Sequence, residues 1–370
     1  MAKKMIISGG GTGGHVFPAI AIAYAVKEQL PDTEILFVGA NGRMEMKRVP
    51  QAGFSIEGLD IYGIRRKISL RNMFENLKLP VRLYRSTCRA KQIIKRFQPD
   101  VVVGVGGYAS GPTLKVAASM KIPTLIQEQN SYPGITNKLL AKQVNVICTA
   151  YDCLDRFFPS NKTVKTGNPV RKDILNTIDK KEGYAYFKLD ENKKTVVILG
   201  GSLGAQTINE SVSTFIKEAS EKNIQLVWQT GEYYYQNISE KYSNMQGIKI
   251  VSFVERMDYL YSIADVVVSR AGALALSELC VVAKPCILIP SPNVSEDHQT
   301  KNATALSNAG AAVLIPDNKA CEQLRDIVFE LIEDETKCMN MKASLKKMAQ
   351  PDAAKRIAEE IIKLMDKKDA

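Results

Sequence analysis

A histidine closes a run of glycines near the amino terminus, Ser8-Gly9-Gly10-Gly11-Thr12-Gly13-Gly14-His15. Gly9, Gly11 and Gly14 satisfy G-x-G-x-x-G between a strand-like run, Met5–Ser8, and a helical segment carrying Ile20, Ala23 and Val26. Backbone amides at such a helix start are presented to an anion or a polar ligand. The positive end of the helix dipole disfavours imidazolium at His15, so the ring stays neutral and can take a proton. That suits a general base; the alternative is a histidine that only makes structural hydrogen bonds. A nicotinamide dinucleotide would want an acid at the end of the next strand, but Ile35-Leu36-Phe37-Val38 runs into Gly39-Ala40-Asn41. No G-K-[ST] follows the loop, which removes a Walker phosphate site.

Further loops carry similar potential. Gly104-Val105-Gly106-Gly107-Tyr108-Ala109-Ser110-Gly111 follows the strand Val101–Val103, and a second set of amides on one domain suggests a phosphate-bearing substrate. Glu128-Gln129-Asn130 ends the next strand, where side chains are expected to face the ligand, or where Asn130 only caps a turn. In the second half, Ser269-Arg270-Ala271-Gly272-Ala273-Leu274-Ala275-Leu276-Ser277-Glu278 leaves a strand and enters a helix. Glu278 has apolar neighbours and reads as a buried carboxylate able to accept bonds from two vicinal hydroxyls, the alternative being an exposed helix acid. Gln299, after Asp297-His298, is a candidate for sugar recognition, and His298 a helix-start residue without chemistry. No D-x-D occurs, so neither a metal-bridged diphosphate nor a cofactor is expected.

The elements that position these residues alternate. Strands are expected at Met5–Ser8, Glu34–Gly39, Val101–Gly104, Pro123–Gln127 and Asn145–Thr149. A second series follows at Thr195–Gly200, Gln225–Thr230, Ile248–Phe253, Asp265–Ser269, Pro285–Pro290 and Ala312–Ile315, with helices between most of them. Between the series lies a turn at Thr166–Pro169 and a polar helix to about Asn192. The expected fold class is α/β, two tandem Rossmann-like doubly wound domains with a ligand cleft between them, which suits 370 residues. The boundaries are drawn at 1–165, 166–350 and a last helix in 351–370 whose docking side periodicity leaves open. The seven cysteines lack C-x-x-C spacing and read as reduced core thiols. With no spanning-length apolar run and no signal-peptide core, the chain is expected to start and stay in the cytoplasm.

The net charge of +11 is concentrated: residues 61–100 hold eleven basic residues against two acidic ones. Leu70, Met73, Phe74, Leu77, Val81 and Tyr84 recur at helical spacing among them, and Pro80 is expected to split the segment into two helices. The stripe either faces the core beneath a solvated basic surface or inserts into anionic lipid. Nucleic acid ranks last, since no aromatic platform or known module accompanies the charge.

Taken in order, Gly9–Ala19, Gly106-Gly107-Tyr108, Glu128-Gln129-Asn130, Gly167-Asn168-Pro169-Val170-Arg171, Gly200-Gly201-Ser202, Ser269–Ala273 and Asp297-His298-Gln299 resemble the MurG family, the N-acetylglucosaminyltransferases that make lipid II in peptidoglycan synthesis. The resemblance implies an inverting GT-B enzyme that takes N-acetylglucosamine from UDP-N-acetylglucosamine and adds it to the 4-hydroxyl of the muramoyl sugar of lipid I, undecaprenyl-pyrophosphoryl-muramoylpentapeptide. By that likeness Thr12, Gly13, Gly14, Asn130, Arg171, Ser202, Val254, Ala273, Leu274, Ala275, Leu276, Ser277, Glu278 and Gln299 line the donor site. Val254 meets the uracil through its backbone and Glu278 meets the ribose. His15 is the base, and Arg171, the Ser202 loop and helix N-termini steady the departing diphosphate. Gly14, Gly106, Gly107 and Tyr108 hold the acceptor pyrophosphate. Leu203 and Ala275 depart from the family's usual Gln and Thr, removing two polar donor contacts. A lipid-borne acceptor also favours the membrane reading, with Leu70, Arg71, Met73, Phe74, Leu77, Lys78, Arg82 and Arg85 as the patch on anionic lipid at the cytoplasmic face of the inner membrane. Wall-synthesis proteins are compatible partners. The rivals are another UDP-sugar GT-B enzyme, a diacylglycerol glucosyltransferase or a UDP-N-acetylglucosamine epimerase, and a non-enzymatic polyanion-binding protein.

Overall fold

The computed structural model describes residues 2–63, 77, 79–152, 154–176, 178–201, 204–294 and 297–366. Two compact units emerge, Met1–Val170 with Asp352–Ala370, and Arg171–Pro351.

Among the described residues, the first unit is built on seven parallel strands: β1 (Lys4–Ser8), β2 (Glu34–Ala40), β3 (Ser55–Leu59), β4 (Val101–Gly104), β5 (Thr124–Glu128), β6 (Val146–Thr149) and β7 (Thr163–Lys165), in the order β3-β2-β1-β4-β5-β6-β7. Met5, Ile6 and Ile7 of β1 are buried on both faces, as a central parallel strand covered by helices requires. Ser8 is in register with Val38 and with Gly104, so the glycine loop after β1 and the one after β4 leave the sheet at the same carboxyl edge. β3 and β7 are edge strands that sequence reasoning passed over; Ser-Ile-Glu-Gly-Leu and Thr-Val-Lys are too polar and too short to stand out.

The last helix, Ala353–Asp366, returns to this first unit and packs on the helix Gly13–Gln29. Ile357, Ile361, Leu364 and Met365 are buried with Val16, Ala19, Ile22 and Val26. Burial contributes about 1.5–3 kcal/mol for each large apolar side chain, which anchors the carboxyl terminus on the unit that begins the chain.

The second unit repeats the plan with β8 (Thr195–Leu199), β9 (Gln225–Gln229), β10 (Ile248–Val251), β11 (Val266–Ser269), β12 (Cys286–Leu288) and β13 (Val313–Leu314), all parallel, in the order β10-β9-β8-β11-β12-β13. Both sheets thus follow the doubly wound order in which ligands bind beyond the carboxyl ends of the strands. Trp228 on β9 lies in the core, its indole Nε1 donating to Asn209 Oδ1 at 2.9 Å.

Two local expectations change, and a third falls on residues the structure leaves undescribed. The single polar helix before β8 is two short ones, Lys172–Leu175 and Lys180–Phe187. Pro80 is the second residue of the described helix Leu79–Phe97; residues 64–76 and 78, on which the expected split into two helices falls, lie outside the described residues. The cysteines are not all core: Cys148, Cys280 and Cys286 are buried, but Cys88 and Cys321 are exposed on helix surfaces.

Candidate active site

In the first unit the chain leaves β1 through three glycines and enters its helix at Gly13, with Thr12 extended (φ −143°, ψ 160°) and its carbonyl accepting from His15 N and Val16 N, both at 3.1 Å. His15 Nδ1 lies 3.4 Å from Thr12 Oγ1. The other side of the ring rests on the β4 loop, since a Cβ at Gly106 would lie 2.7 Å from His15 Cδ2 and 2.8 Å from Nε2. Gly106 also has φ +92°, so a side chain there is excluded twice. A Cβ at Gly107 would meet Gly10 O at 2.3 Å. The two glycine loops therefore interlock, and His15 stands at their seam.

The loop amides are not all presented outward, contrary to the sequence expectation. Gly9 N donates to Val38 O at 3.4 Å and Gly11 N to the Glu45 carboxylate at 2.9 Å. Tyr108 is half-exposed beyond the second loop, its ring over Gly63.

Glu128 and Gln129 also turn inward rather than toward a ligand. Glu128 Oε1 accepts from Asn130 N at 2.9 Å and Asn130 Nδ2 at 3.1 Å, and Oε2 from Asn137 Nδ2 at 2.8 Å and Gly134 N at 3.1 Å. Burial raises its carboxyl above the usual range, and these donors pull it part of the way back. Gln129 Nε2 donates to Val105 O at 2.9 Å and Gln127 Oε1 at 2.6 Å, Gln127 donates to Asn168 at 3.1 Å, and Asn168 returns a bond to Gln129 O at 3.0 Å. This buried amide ring ties the end of β5 to the Thr166–Pro169 turn. Asn130, half-buried and held by Glu128, is the residue of this motif left nearer the surface.

In the second unit Ser269 at the end of β11 is in register with Leu199 and Leu288, which brings the Gly200 loop, the Arg270–Gly272 turn and the Ile289-Pro290 stretch to one edge. The helix Ala273–Val282 starts there, capped by Gly272. Glu278 on that helix is 4% exposed; its Oε1 accepts from Arg171 Nε at 3.3 Å and its Oε2 from Tyr261 OH at 3.1 Å. Burial raises the Glu278 carboxyl, while the Arg171 guanidinium and the Tyr261 hydroxyl pull it down. Tyr261 itself is pushed well above the usual phenol range by burial and by the neighbouring carboxylate. The exposed-acid alternative for Glu278 is thereby overturned.

The rest of the expected donor set is distributed unevenly. Leu276 and Ala273 are buried, so only their backbone can reach a ligand; Leu274, Ala275 and Ser277 are half-buried, and the Ser277 hydroxyl donates back to Ala273 O at 3.0 Å. Val254 is buried in the turn after β10. Gln299 Oε1 accepts from Ser291 N at 2.8 Å. Ser202 and Leu203 lie outside the described residues. Sequence reasoning missed Arg270 as a brace: its Nη1 donates to Ile289 O at 3.1 Å and Pro290 O at 3.2 Å and pairs with Asp317. It missed Tyr261 and Glu45 as well; a buried tyrosine that needs an acceptor was the available signal for the former.

On the helix Leu79–Phe97 the inward face is Ser86, Ala90, Ile93 and Ile94. Leu77, Val81 and Tyr84 point out, at 73%, 55% and 70% exposure, with Arg85 exposed beside them and Arg82 4.9 Å over the Tyr62 ring. The core-facing reading of the stripe fails for these residues. Leu70, Arg71, Met73, Phe74 and Lys78 lie outside the described residues. Among the described residues no helix is long and apolar enough to cross a membrane.

Two doubly wound units, each with a glycine turn after its first strand, define the GT-B class of fold. The chain belongs to glycosyltransferase family 28, whose N-terminal domain matches residues 5–149 and whose C-terminal domain matches residues 195–357. It is 50% identical over 368 residues, 99% of each chain, to the UDP-N-acetylglucosamine–N-acetylmuramyl-(pentapeptide) pyrophosphoryl-undecaprenol N-acetylglucosamine transferase of Parabacteroides distasonis. It is 49% identical over 364 residues, 98% of each chain, to the protein of the same name from Flavobacterium psychrophilum. The crystal structure of MurG from Acinetobacter baumannii is similar at TM-score 0.73 and 26% identity, over 98% of this chain and 99% of that one.

Proposed function

We propose that the chain transfers N-acetylglucosamine from UDP-N-acetylglucosamine to the muramoyl 4-hydroxyl of lipid I, releasing UDP and forming a β-1,4 bond with inversion. The observation that carries this is half-identity, over 99% of both chains, to a transferase so named. The geometry suits it. Glu278, aimed by Arg171 and Tyr261, keeps lone pairs for the two ribose hydroxyls. The helix starting at Ala273 offers amides to the diphosphate, Gln299 offers its amide to the sugar, and the backbone at Val254 meets the uracil. Thr12, Gly13, Gly14 and Asn130 complete the donor contacts.

On the acceptor side, the amides of Gly14, Gly106 and Gly107, with Tyr108, take the pyrophosphate. His15 removes the 4-hydroxyl proton as that oxygen attacks the anomeric carbon, and the electron pair of the breaking C–O bond leaves with UDP. The exposed Leu77, Val81 and Tyr84 with Arg82 and Arg85 hold the protein to the anionic inner leaflet as a peripheral enzyme, each cation near the surface contributing about 1 kcal/mol. UDP release in the presence of a short-chain lipid I analogue tests the reading. Release with lipid I and none with diacylglycerol is expected; release with diacylglycerol and UDP-glucose instead would overturn it.

A further inference from the structure

The glycine loop after β1 is built around a carboxylate of the protein itself. Glu45, 1% exposed, lies beneath the loop. Its Oε2 accepts from Gly11 N at 2.9 Å and its Oε1 from Ala40 N at 3.0 Å, so it joins the ends of two neighbouring strands. The space it fills is the space two side chains would need: a Cβ on Gly10 would lie 2.1 Å from Glu45 Oε1, and a Cβ on Gly39 2.5 Å from Glu45 Cγ. Gly10 in turn supplies the carbonyl on which Gly107 is packed, and His15 follows four residues after Gly11 with its ring on Gly106. A single buried carboxylate thus lies against the glycine loop on which Gly107 packs.

We infer that Glu45 is a positioning residue for group transfer: an internal anion that occupies the Gly11 amide, confines a substrate's phosphate to the amides from Thr12 onward and to those of Gly106 and Gly107, and holds His15 in place. This rests on the reading of His15 as the base and of the Gly14, Gly106 and Gly107 amides as the place of the acceptor pyrophosphate. Because the carboxylate accepts from two N–H groups, an amide cannot replace it, since one of its two ends would present N–H to N–H. Glycine at positions 10 and 39 follows from the same contact.

The test uses the full chain with UDP-N-acetylglucosamine and a short-chain lipid I analogue. Glu45→Gln should lower kcat at least tenfold and leave the UDP dissociation constant within twofold of the unsubstituted protein. In Glu45→Ala, sodium formate should restore several-fold of the lost turnover, and sodium chloride at the same ionic strength should not. If Glu45→Ala fails to fold, Glu45→Gln decides alone. A Glu45→Gln variant with turnover within twofold of the parent, or one that loses UDP binding in step with turnover, overturns the inference, as does a folded Glu45→Ala that formate leaves unchanged. A parent protein that transfers nothing would instead sink the functional reading, so the two failures are separable.

Discussion

Ribose recognition by Glu278 gives the sharpest quantitative prediction. Its carboxylate is nearly sealed from water, with one oxygen bonded to Arg171 and the other to Tyr261. Each oxygen retains a lone pair, so the 2′- and 3′-hydroxyls of UDP can both donate to it. A hydrogen bond to a charged group is worth about 1.5–3 kcal/mol. The two share one carboxylate and do not add fully, so one bond's worth is the floor. Calorimetric titration should therefore show UDP binding roughly 10- to 100-fold more tightly than its 2′,3′-dideoxy analogue. In Glu278→Gln that ratio should collapse to about threefold, and in Tyr261→Phe it should fall between, because the charge stays but its aim is lost. The pH dependence has a definite sign. Burial holds the folded Glu278 pKa above its ordinary value, and binding needs the ionised form, so UDP affinity is lost as pH falls through that raised pKa. Tyr261→Phe removes a donor that favours the ionised form and should move the loss to higher pH. Equal discrimination in the parent and in Glu278→Gln would refute the ribose assignment.

Other outcomes follow from single contacts. His15→Ala should reduce kcat by about 10²- to 10⁴-fold in the transfer assay with UDP affinity unchanged; intact turnover removes His15 from the base role. Lys284, half-buried and donating to Ser262 O at 3.3 Å and Ala264 O at 2.8 Å, has its pKa pulled down by burial and by Lys180 to about 8. The unfolded chain binds the proton more tightly between about pH 8 and 10.5, so stability should rise with pH across that window, by up to about 3 kcal/mol. Urea titrations should find that rise missing in Lys284→Met. Co-sedimentation with anionic vesicles should exceed that with neutral ones, weaken with salt and drop in an Arg82→Glu, Arg85→Glu double variant; equal binding to neutral vesicles would count against the electrostatic part.

Strands buried on both faces were legible because parallel strands under helices read as unbroken apolar runs: the strands expected at Met5–Ser8, Val101–Gly104 and Asp265–Ser269 stood out by their β-branched runs. Edge strands such as Thr163–Lys165 carry no such signal. In the site, glycines announced the loops, but not which amides they leave available, since the Gly11 amide is taken by Glu45, thirty-four residues on. Glu278 was legible from its apolar neighbours, whereas Tyr261 meets it only through the tertiary fold. Glu128 misled for the opposite reason: a carboxylate at a strand's carboxyl end looks like a ligand contact, yet four donors around it make it a brace for Asn130 and Asn137. The dock of the last helix was unreadable because an apolar stripe states that a face is covered and not by what.

The most direct measurement is the structure of the product formed from UDP-N-acetylglucosamine and a short-chain lipid I analogue, determined by NMR on the purified disaccharide. A β-linked N-acetylglucosamine on the muramoyl 4-oxygen, with one UDP released per bond, is the expected result. An α-linked sugar, attachment at another hydroxyl, or free N-acetylmannosamine in place of a disaccharide would contradict inverting transfer to lipid I.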